Sequence, residues 1–186
     1  SSEAGLKQGI RLGGLSGQAD LSVFFLQNKE LIEYMFGLYP GPEGGTGFRA
    51  ANVEQSRVYG SELEFMLNHS FGEIILSASG GYTFIYPVEY NRATNENTNT
   101  FLKYRRKHSA KLSVSAAWKK FDLGLSLYAR SKILNIDDVF LNPLTREIIL
   151  PGFYDYWLEN NTGYGLMDAV LGYGINDRFS LSLAAK

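Results

Sequence analysis

Cysteine is absent from this chain of 186 residues, and histidine occurs only twice. The first absence excludes a disulfide framework, thiol catalysis and metal sites built from thiolates. The formal net charge of −1 is not the basic surplus of a nucleic-acid-binding protein, so we expect no nucleic acid among the partners. No run of 18 apolar residues occurs either, which excludes a membrane-spanning helix.

Motifs of enzymes and of metal sites are also missing from the sequence. It contains no nucleophile elbow, no complete phosphate-binding loop and no zinc-ligand spacing. His69 and His108 fall at opposite ends of the strands predicted below, so we do not expect them to share a metal ion. We therefore predict no catalytic residue, no cofactor and no metal site, and we do not expect an enzyme.

What the chain does contain is a regular alternation of apolar with small or polar residues. It extends from Ala110 to Arg130 and is interrupted only by a turn at Lys119 and Lys120. A period of two residues is typical of a β-strand whose two faces meet different environments. Each half is about ten residues long, which is enough to cross a membrane, whereas strands of soluble proteins are usually about five or six residues. Aromatic residues make up 14% of the chain, which suits girdles at membrane interfaces.

The whole chain is predicted to form about eight long strands joined alternately by short turns and long loops. The strands are expected near residues 3–12, 18–34, 49–68, 73–86, 110–118, 121–130, 158–173 and from 179 onward. The long loops are expected at 37–47, 89–100 and 137–157. This order predicts an all-β, antiparallel, up-and-down transmembrane β-barrel, whereas a soluble β-sandwich, the alternative, would mix long and short connections.

The charged residues of the strands share one parity, opposite to that of the large apolar residues. We expect the apolar parity to face lipid and the charged parity to face the barrel lumen or a plug inside it. The lumen-facing or plug-facing candidates are Arg11, Glu62, Glu64 and Arg130. For the two glutamates, a solvated face of a soluble sheet stays open as an alternative.

The long loops carry the candidate ligand contacts, because binding residues concentrate in loops held by a rigid scaffold. The candidates are aromatic or arginine side chains: Tyr39, Phe48, Arg49, Tyr90, Arg92, Tyr154 and Tyr156. An aromatic belt at the membrane interface is the alternative role for such tyrosines.

Three segments resemble motifs of one protein family. The stretch from Asn52 to Glu64, NVEQSRVYGSELE, resembles the barrel segment N-x-x-x-[AS]-x-[IV]-x-G-x-E-x-E of TonB-dependent outer-membrane receptors. The stretch from Tyr104 to Ala110, YRRKHSA, resembles the strand start Y-x-P-x-H of that family, with Arg106 in place of the usual proline. Residues 179–186 are similar to the penultimate barrel strand.

The resemblance implies a barrel of about 22 strands with a plugged lumen, of which residues 1–186 would be a C-terminal segment. The plug domain, the final strand and further strands on both sides would lie outside this segment. Family members of Gram-negative bacteria import iron–siderophores, haem, cobalamin or similar scarce nutrients across the outer membrane. The implied partners are outer-membrane lipid, a periplasmic energy-transducing protein that acts through the plug, a small-molecule ligand such as a metal chelate, and a surface lipoprotein.

The sequence therefore favours an outer-membrane receptor for active transport, powered by an inner-membrane partner. Two alternatives remain at this point. One is a small, self-contained outer-membrane barrel that acts as an adhesin or carries an enzymatic site at its rim. The other is a soluble β-sheet binding module.

Overall fold

The structure is a computed structural model that describes residues 1–29, 31–39, 44–53 and 55–186. Eight long strands follow one another through its main antiparallel sheet, in the order β1-β2-β5-β6-β8-β9-β10-β11. Their bounds are β1 Ser2–Leu12, β2 Leu15–Asn28, β5 Ser56–Phe71, β6 Ile74–Asn91, β8 His108–Trp118, β9 Phe121–Arg130, β10 Tyr164–Asn176 and β11 Phe179–Ala185. The expectation of about eight long antiparallel strands is confirmed, and the sheet is open, with β1 and β11 at its edges.

Turns of two residues connect the strands at one end of the sheet. They lie at residues 13–14, 72–73, 119–120 and 177–178. The first residue of three of these turns has a left-handed backbone, with φ of 57° at Gly13, 60° at Gly72 and 53° at Lys119. Tight hairpins favour positive φ because it matches the twist of the paired strands. The short connections fall where the alternating pattern placed them.

The first long loop differs from the expectation, because most of it is a β-hairpin. β3 Leu31–Tyr39 pairs with β4 Gly45–Val53 in a separate two-stranded sheet. The expected strands 18–34 and 49–68 are wrong at their loop ends, because β2 and β5 stop pairing where Asn28 lies opposite Ser56. Residues 40–43 of the expected loop, and Glu54 of the family motif, lie outside the described residues.

The other two long loops also contain regular structure. β6 extends into the second loop and pairs there with β7 Glu96–Phe101. The third loop holds α1 Asp138–Leu141, α2 Arg146–Ile149 and α3 Phe153–Asn160. The strand expected at 158–173 therefore begins later, at Tyr164, directly after Gly163, which has a positive φ of 93°. In the described residues, no helix has the length and hydropathy needed to cross a membrane.

The main sheet does not fold around a core of its own. The chain exposes 13135 Å² of surface, whereas a compact protein of 20.8 kDa would expose about 8,900 Å². In the described residues, the buried apolar side chains include Pro87, Val88, Leu102 and Ile136, which all lie at the end of the sheet that carries the long loops. The strands themselves form a wall with two exposed faces, and the packed interior lies among the loops.

Candidate functional site

One face of the main sheet is apolar across all its strands. The strand register sets one such row from Leu67 through Ala78, Val114 and Leu125 to Ala169. The leucines of β9 on this face, Leu123, Leu125 and Leu127, are all exposed. Apolar side chains that stay exposed along whole strands are typical of a wall in contact with lipid.

Aromatic rings border this apolar face at both ends. Near the short turns, Phe121 lies 6.2 Å from Trp118 and 4.8 Å from Tyr173, measured between ring centroids. Near the loops, Tyr59 lies 5.1 Å from Phe25, and His108 lies 5.4 Å from Phe84. Along β8 the two borders, at His108 and Trp118, are ten residues apart, which for a strand tilted by 45° spans about 24 Å. This spacing is close to the height of the apolar band of outer-membrane barrels, about 25 Å.

The opposite face of the sheet carries the charges. Lys111 of β8 reaches across Gly81 of β6 to Glu64 of β5, with 3.4 Å between Nζ and Oε1. A Cβ at Gly81 would lie 2.8 Å from Lys111 Cε, so the glycine leaves the path that the lysine uses. Glu62 and Arg130 line the same shallow groove. Arg11 shares this face, opposite Ser16 of β2.

Arginine–tyrosine pairs lie at the loop end of the sheet, and the three with the shortest distances in the described residues involve Arg49, Arg57 and Arg146. The guanidinium carbon of Arg49 lies 4.4 Å from the ring centroid of Tyr39, and that of Arg146 lies 4.2 Å from Tyr154. In the third pair Arg57 lies 3.8 Å from the Tyr90 ring. Arg57 also donates hydrogen bonds to Asn95 and Asn97. Each pair presents a cation on an aromatic face, an arrangement that binds anionic and aromatic groups.

A chain of four phenylalanines joins the β3–β4 hairpin to the loop helices. Phe36 lies 5.0 Å from Phe48 and is stacked on Phe140 at 5.3 Å, again between ring centroids. Phe140 lies 5.1 Å from Phe153 in turn. The hairpin and α3 are therefore parts of one packed unit.

A buried carboxylate, that of Asp137, is hydrogen-bonded to the backbone of the first of these phenylalanines. Asp137 has no exposed surface, and its Oδ2 accepts hydrogen bonds from the Phe36 backbone N–H at 3.0 Å and from the Tyr104 hydroxyl at 2.5 Å. The Lys103 ammonium, itself buried, lies 3.5 Å from Oδ1. Burial, and then the hydrogen bond to Asp137 and the charge of that carboxylate, raise the pKa of the Tyr104 hydroxyl.

The structure brings some of the predicted ligand contacts together and leaves others apart. Tyr39, Phe48 and Arg49 lie on the β3–β4 hairpin, and Tyr154 and Tyr156 lie on α3, to which the phenylalanine chain connects the hairpin. Tyr90 and Arg92 lie instead at the β6–β7 hairpin, with Tyr90 against Arg57.

The sequence did not indicate Asp137, Arg57 or Arg146 as site residues. A lone aspartate in a polar loop has no distinguishing pattern, and the two arginines acquire their roles only through residues distant in sequence. The one sequence feature that could have drawn attention to Asp137 is that it forms an adjacent pair with Asp138 before an apolar stretch.

Metal ligands do not cluster in the part of the chain that the structure describes: no three His, Asp or Glu residues there could hold an ion together. His69 lies opposite Leu15, close to the short turns, whereas His108 begins β8 at the loop end. His108 Nδ1 lies 2.7 Å from the Tyr82 hydroxyl on the apolar face.

The family of the chain follows from comparison with known proteins. A family model described as "TonB dependent receptor-like, beta-barrel" matches residues 1–186. The chain belongs to this family. A comparison with curated proteins gives no match.

Membership of the TonB-dependent receptor family confirms the transmembrane β-barrel class expected from the strands. It is a family of outer-membrane receptors and transporters, not of enzymes. In a transmembrane barrel, an apolar face with aromatic borders is the side expected to meet lipid, and a charged face is the side expected to meet the lumen. The loop end, with its Arg–Tyr pairs, is the end opposite the short turns.

Proposed function

We propose that this receptor imports a scarce small-molecule nutrient, such as an iron–siderophore, haem or cobalamin. Import is powered by an inner-membrane partner that acts through a periplasmic energy-transducing protein. The observation that supports this proposal best is the unit formed by the β3–β4 hairpin and α3. Together with Arg146 of α2, this unit presents two Arg–Tyr pairs at the loop end of the barrel wall.

The chemistry of these pairs favours an anionic or flat aromatic ligand. A guanidinium group binds carboxylates and other oxyanions, and the tyrosine ring beneath it offers an apolar surface to a planar group. Many ferric chelates are anionic, and haem is planar and carries two carboxylates. Both therefore match the proposed contacts of Arg49, Tyr39, Tyr154 and Tyr156.

The charged face supports a second part of the proposal. Glu62, Glu64, Arg11 and Arg130 would contact the plug of the full-length receptor in the lumen. The Lys111–Glu64 pair is open to solvent, with 66% and 67% of the two side chains exposed, so both groups are accessible to an incoming partner. Solvent-exposed pairs of this kind contribute little to stability, so exchanging the contact between Lys111 and Glu64 for contacts with the plug would cost little free energy.

Uptake by living cells tests this function. Cells that carry the full-length receptor are given radiolabelled haem, cyanocobalamin or a ferric siderophore, with and without a protonophore. We expect uptake of one of these compounds, and its loss when the proton-motive force is removed.

Substitutions at the loops then locate the contact. We expect Arg49→Ala and Tyr156→Ala to weaken binding of the transported compound at least tenfold at unchanged receptor levels. Tyr173→Ala, at the short-turn end, is the matched control and should bind as the wild type does. Uptake that persists with the protonophore, or equal binding by all the variants, would contradict the proposal.

A further inference from the structure

Asp137 lies where three separate segments of the loop region meet. It contacts the β3–β4 hairpin through Phe36, and it contacts the segment between β7 and β8 through Lys103 and Tyr104. In the sequence it directly precedes α1. The hydrogen bond to the Phe36 N–H links residues 101 positions apart in sequence. We refer to Asp137, Lys103, Tyr104 and the Phe36 backbone as the Asp137 junction.

Forming the Asp137 junction costs free energy of folding. A carboxylate without exposed surface and a buried ammonium have both lost their hydration, and such a pair often adds little net stability. Tyr104 also has a left-handed backbone, with φ of 56°, which is unfavourable for an aromatic residue. A buried ion pair and an unfavourable backbone conformation are best explained by the positions of the segments that they hold together.

What the junction fixes is the position of the hairpin relative to the loop helices. The hydrogen bond holds the backbone of Phe36, whose ring is stacked on Phe140 of α1, and Phe140 in turn contacts Phe153 of α3. The hairpin carries Tyr39 and Arg49, whereas α3 carries Tyr154 and Tyr156. A shift of the hairpin would separate these two sets of side chains.

We propose that Asp137 is a positioning residue for ligand recognition: it holds the hairpin and the loop helices as one preorganised binding surface. This inference rests on the proposed function, in which those two elements contact the ligand. Preorganisation increases affinity because the loops need not be ordered when the ligand binds.

The chain supplies a matched control in the neighbouring residue. Asp138 Oδ2 lies 3.6 Å from the same Lys103 ammonium, but its side chain is 81% exposed. Asp137→Ala and Asp138→Ala therefore remove the same group next to the same lysine. Only the first removes the acceptor for Phe36 and Tyr104.

Distances between spin labels in the full-length receptor test the inference without any ligand. One pair of labels is attached through Thr46→Cys on β4 and Glu159→Cys on α3, both exposed sites. A second pair, through Ser70→Cys and Asp177→Cys, reports on the short-turn end. We expect Asp137→Ala to broaden or shift the first distance distribution and to leave the second unchanged, whereas Asp138→Ala changes neither.

Milder variants keep the test informative if Asp137→Ala does not assemble. Tyr104→Phe removes one hydrogen bond to the carboxylate, and we expect a smaller broadening of the first distribution. Asp137→Asn combined with Lys103→Met removes both charges but keeps an acceptor oxygen for Phe36, and should restore the narrow distribution. If Asp137→Ala and Tyr104→Phe both leave the first distribution as narrow as in the wild type, the inference is wrong. Broadening of both distributions would also overturn it, because that indicates a general loss of stability.

Ligand affinity completes the test. For whichever of haem, cyanocobalamin or the ferric siderophore binds the wild-type receptor, we expect Asp137→Ala to raise the dissociation constant at least tenfold. If the label distances change while the affinity does not, Asp137 does not position the binding surface. If none of the three compounds binds the wild-type receptor, the proposed function fails, while the label distances still report on the junction.

Discussion

Gly17 of β2 faces the backbone of β5 at a distance that leaves no room for a side chain. A Cβ at this position would lie 2.1 Å from the Met66 carbonyl oxygen and 2.9 Å from Leu67 Cα. Because these are backbone atoms, they cannot rotate away, and the strands would have to move apart. We expect Gly17→Ala to lower the free energy of unfolding of the full-length receptor by about 1–3 kcal/mol, the usual cost of overpacking, as measured by urea titration.

Gly9 of β1 provides the control for that measurement. A Cβ there would have no atom within 4 Å beyond its immediate chain neighbours. Gly9→Ala should leave the free energy of unfolding unchanged or raise it slightly, because alanine restricts the unfolded chain more than glycine does. An equal loss of stability in both variants would mean that the close approach at Gly17 is not the cause.

For single residues, the face of the sheet was predictable from the sequence, but the contact partner was not. Parity along the strands placed Glu64 and Lys111 on the charged face, because the side chains of a regular strand alternate between its two faces. The same reasoning could not pair them, since the contact crosses Gly81 and depends on the register of three strands. Asp137 escaped prediction for a similar reason: its burial and both its hydrogen bonds arise from the packing of distant segments.

Among the elements, the turn between β8 and β9 contains an unfavourable residue. Lys119 has φ of 53°, where Gly13 and Gly72 occupy the same place in other turns. A left-handed backbone costs a non-glycine residue roughly 1–2 kcal/mol. We therefore expect Lys119→Gly to be more stable than Lys119→Ala by about 1 kcal/mol in urea titration. Both variants lose the same exposed contact to Glu73, so the difference isolates the backbone.

The same pair of substitutions at Lys120 gives the opposite expectation. Lys120 is not among the residues with positive φ, so alanine should be at least as stable as glycine there. If glycine were favoured equally at both positions, the effect would come from turn flexibility in general and not from the left-handed backbone of Lys119.

Elements of the membrane wall were predictable from the sequence, whereas those of the loops were not. Along the strands a two-residue period persists because each face meets one environment over its full length. In the loops, β3, β4 and β7 pair with local partners, and α1 to α3 are short and partly exposed, so no long periodic pattern marks them. The prediction of a strand from Leu158 is wrong at its start, because residues 158–160 are the last residues of α3.

At the scale of the molecule, the main feature of the sheet is that one face is apolar and the other carries charges. A soluble β-sandwich would bury its apolar side chains against a second sheet. In the described residues the only other sheet is the β3–β4 hairpin, and the apolar face of the main sheet stays exposed. We therefore expect lipid, and not a second layer of protein, to cover this apolar face, so that the face on which a side chain lies decides whether a charge is tolerated there.

Neighbouring residues at the middle of β9 test this dependence. Leu125 lies on the apolar face between Val114 and Ala169, whereas Ser126 lies on the charged face between Ser113 and Asp168. An arginine on the lipid face near the membrane midplane costs about 2–4 kcal/mol, whereas one on the lumen face remains hydrated. At position 126 it would also lie opposite the carboxylate of Asp168. We therefore expect Leu125→Arg to block assembly of the full-length receptor in the outer membrane and Ser126→Arg to assemble normally, as measured by heat-modifiable mobility of outer-membrane fractions. Equal assembly of the two variants would contradict the assignment of the faces, and with it the interpretation of this sheet as a lipid-facing wall.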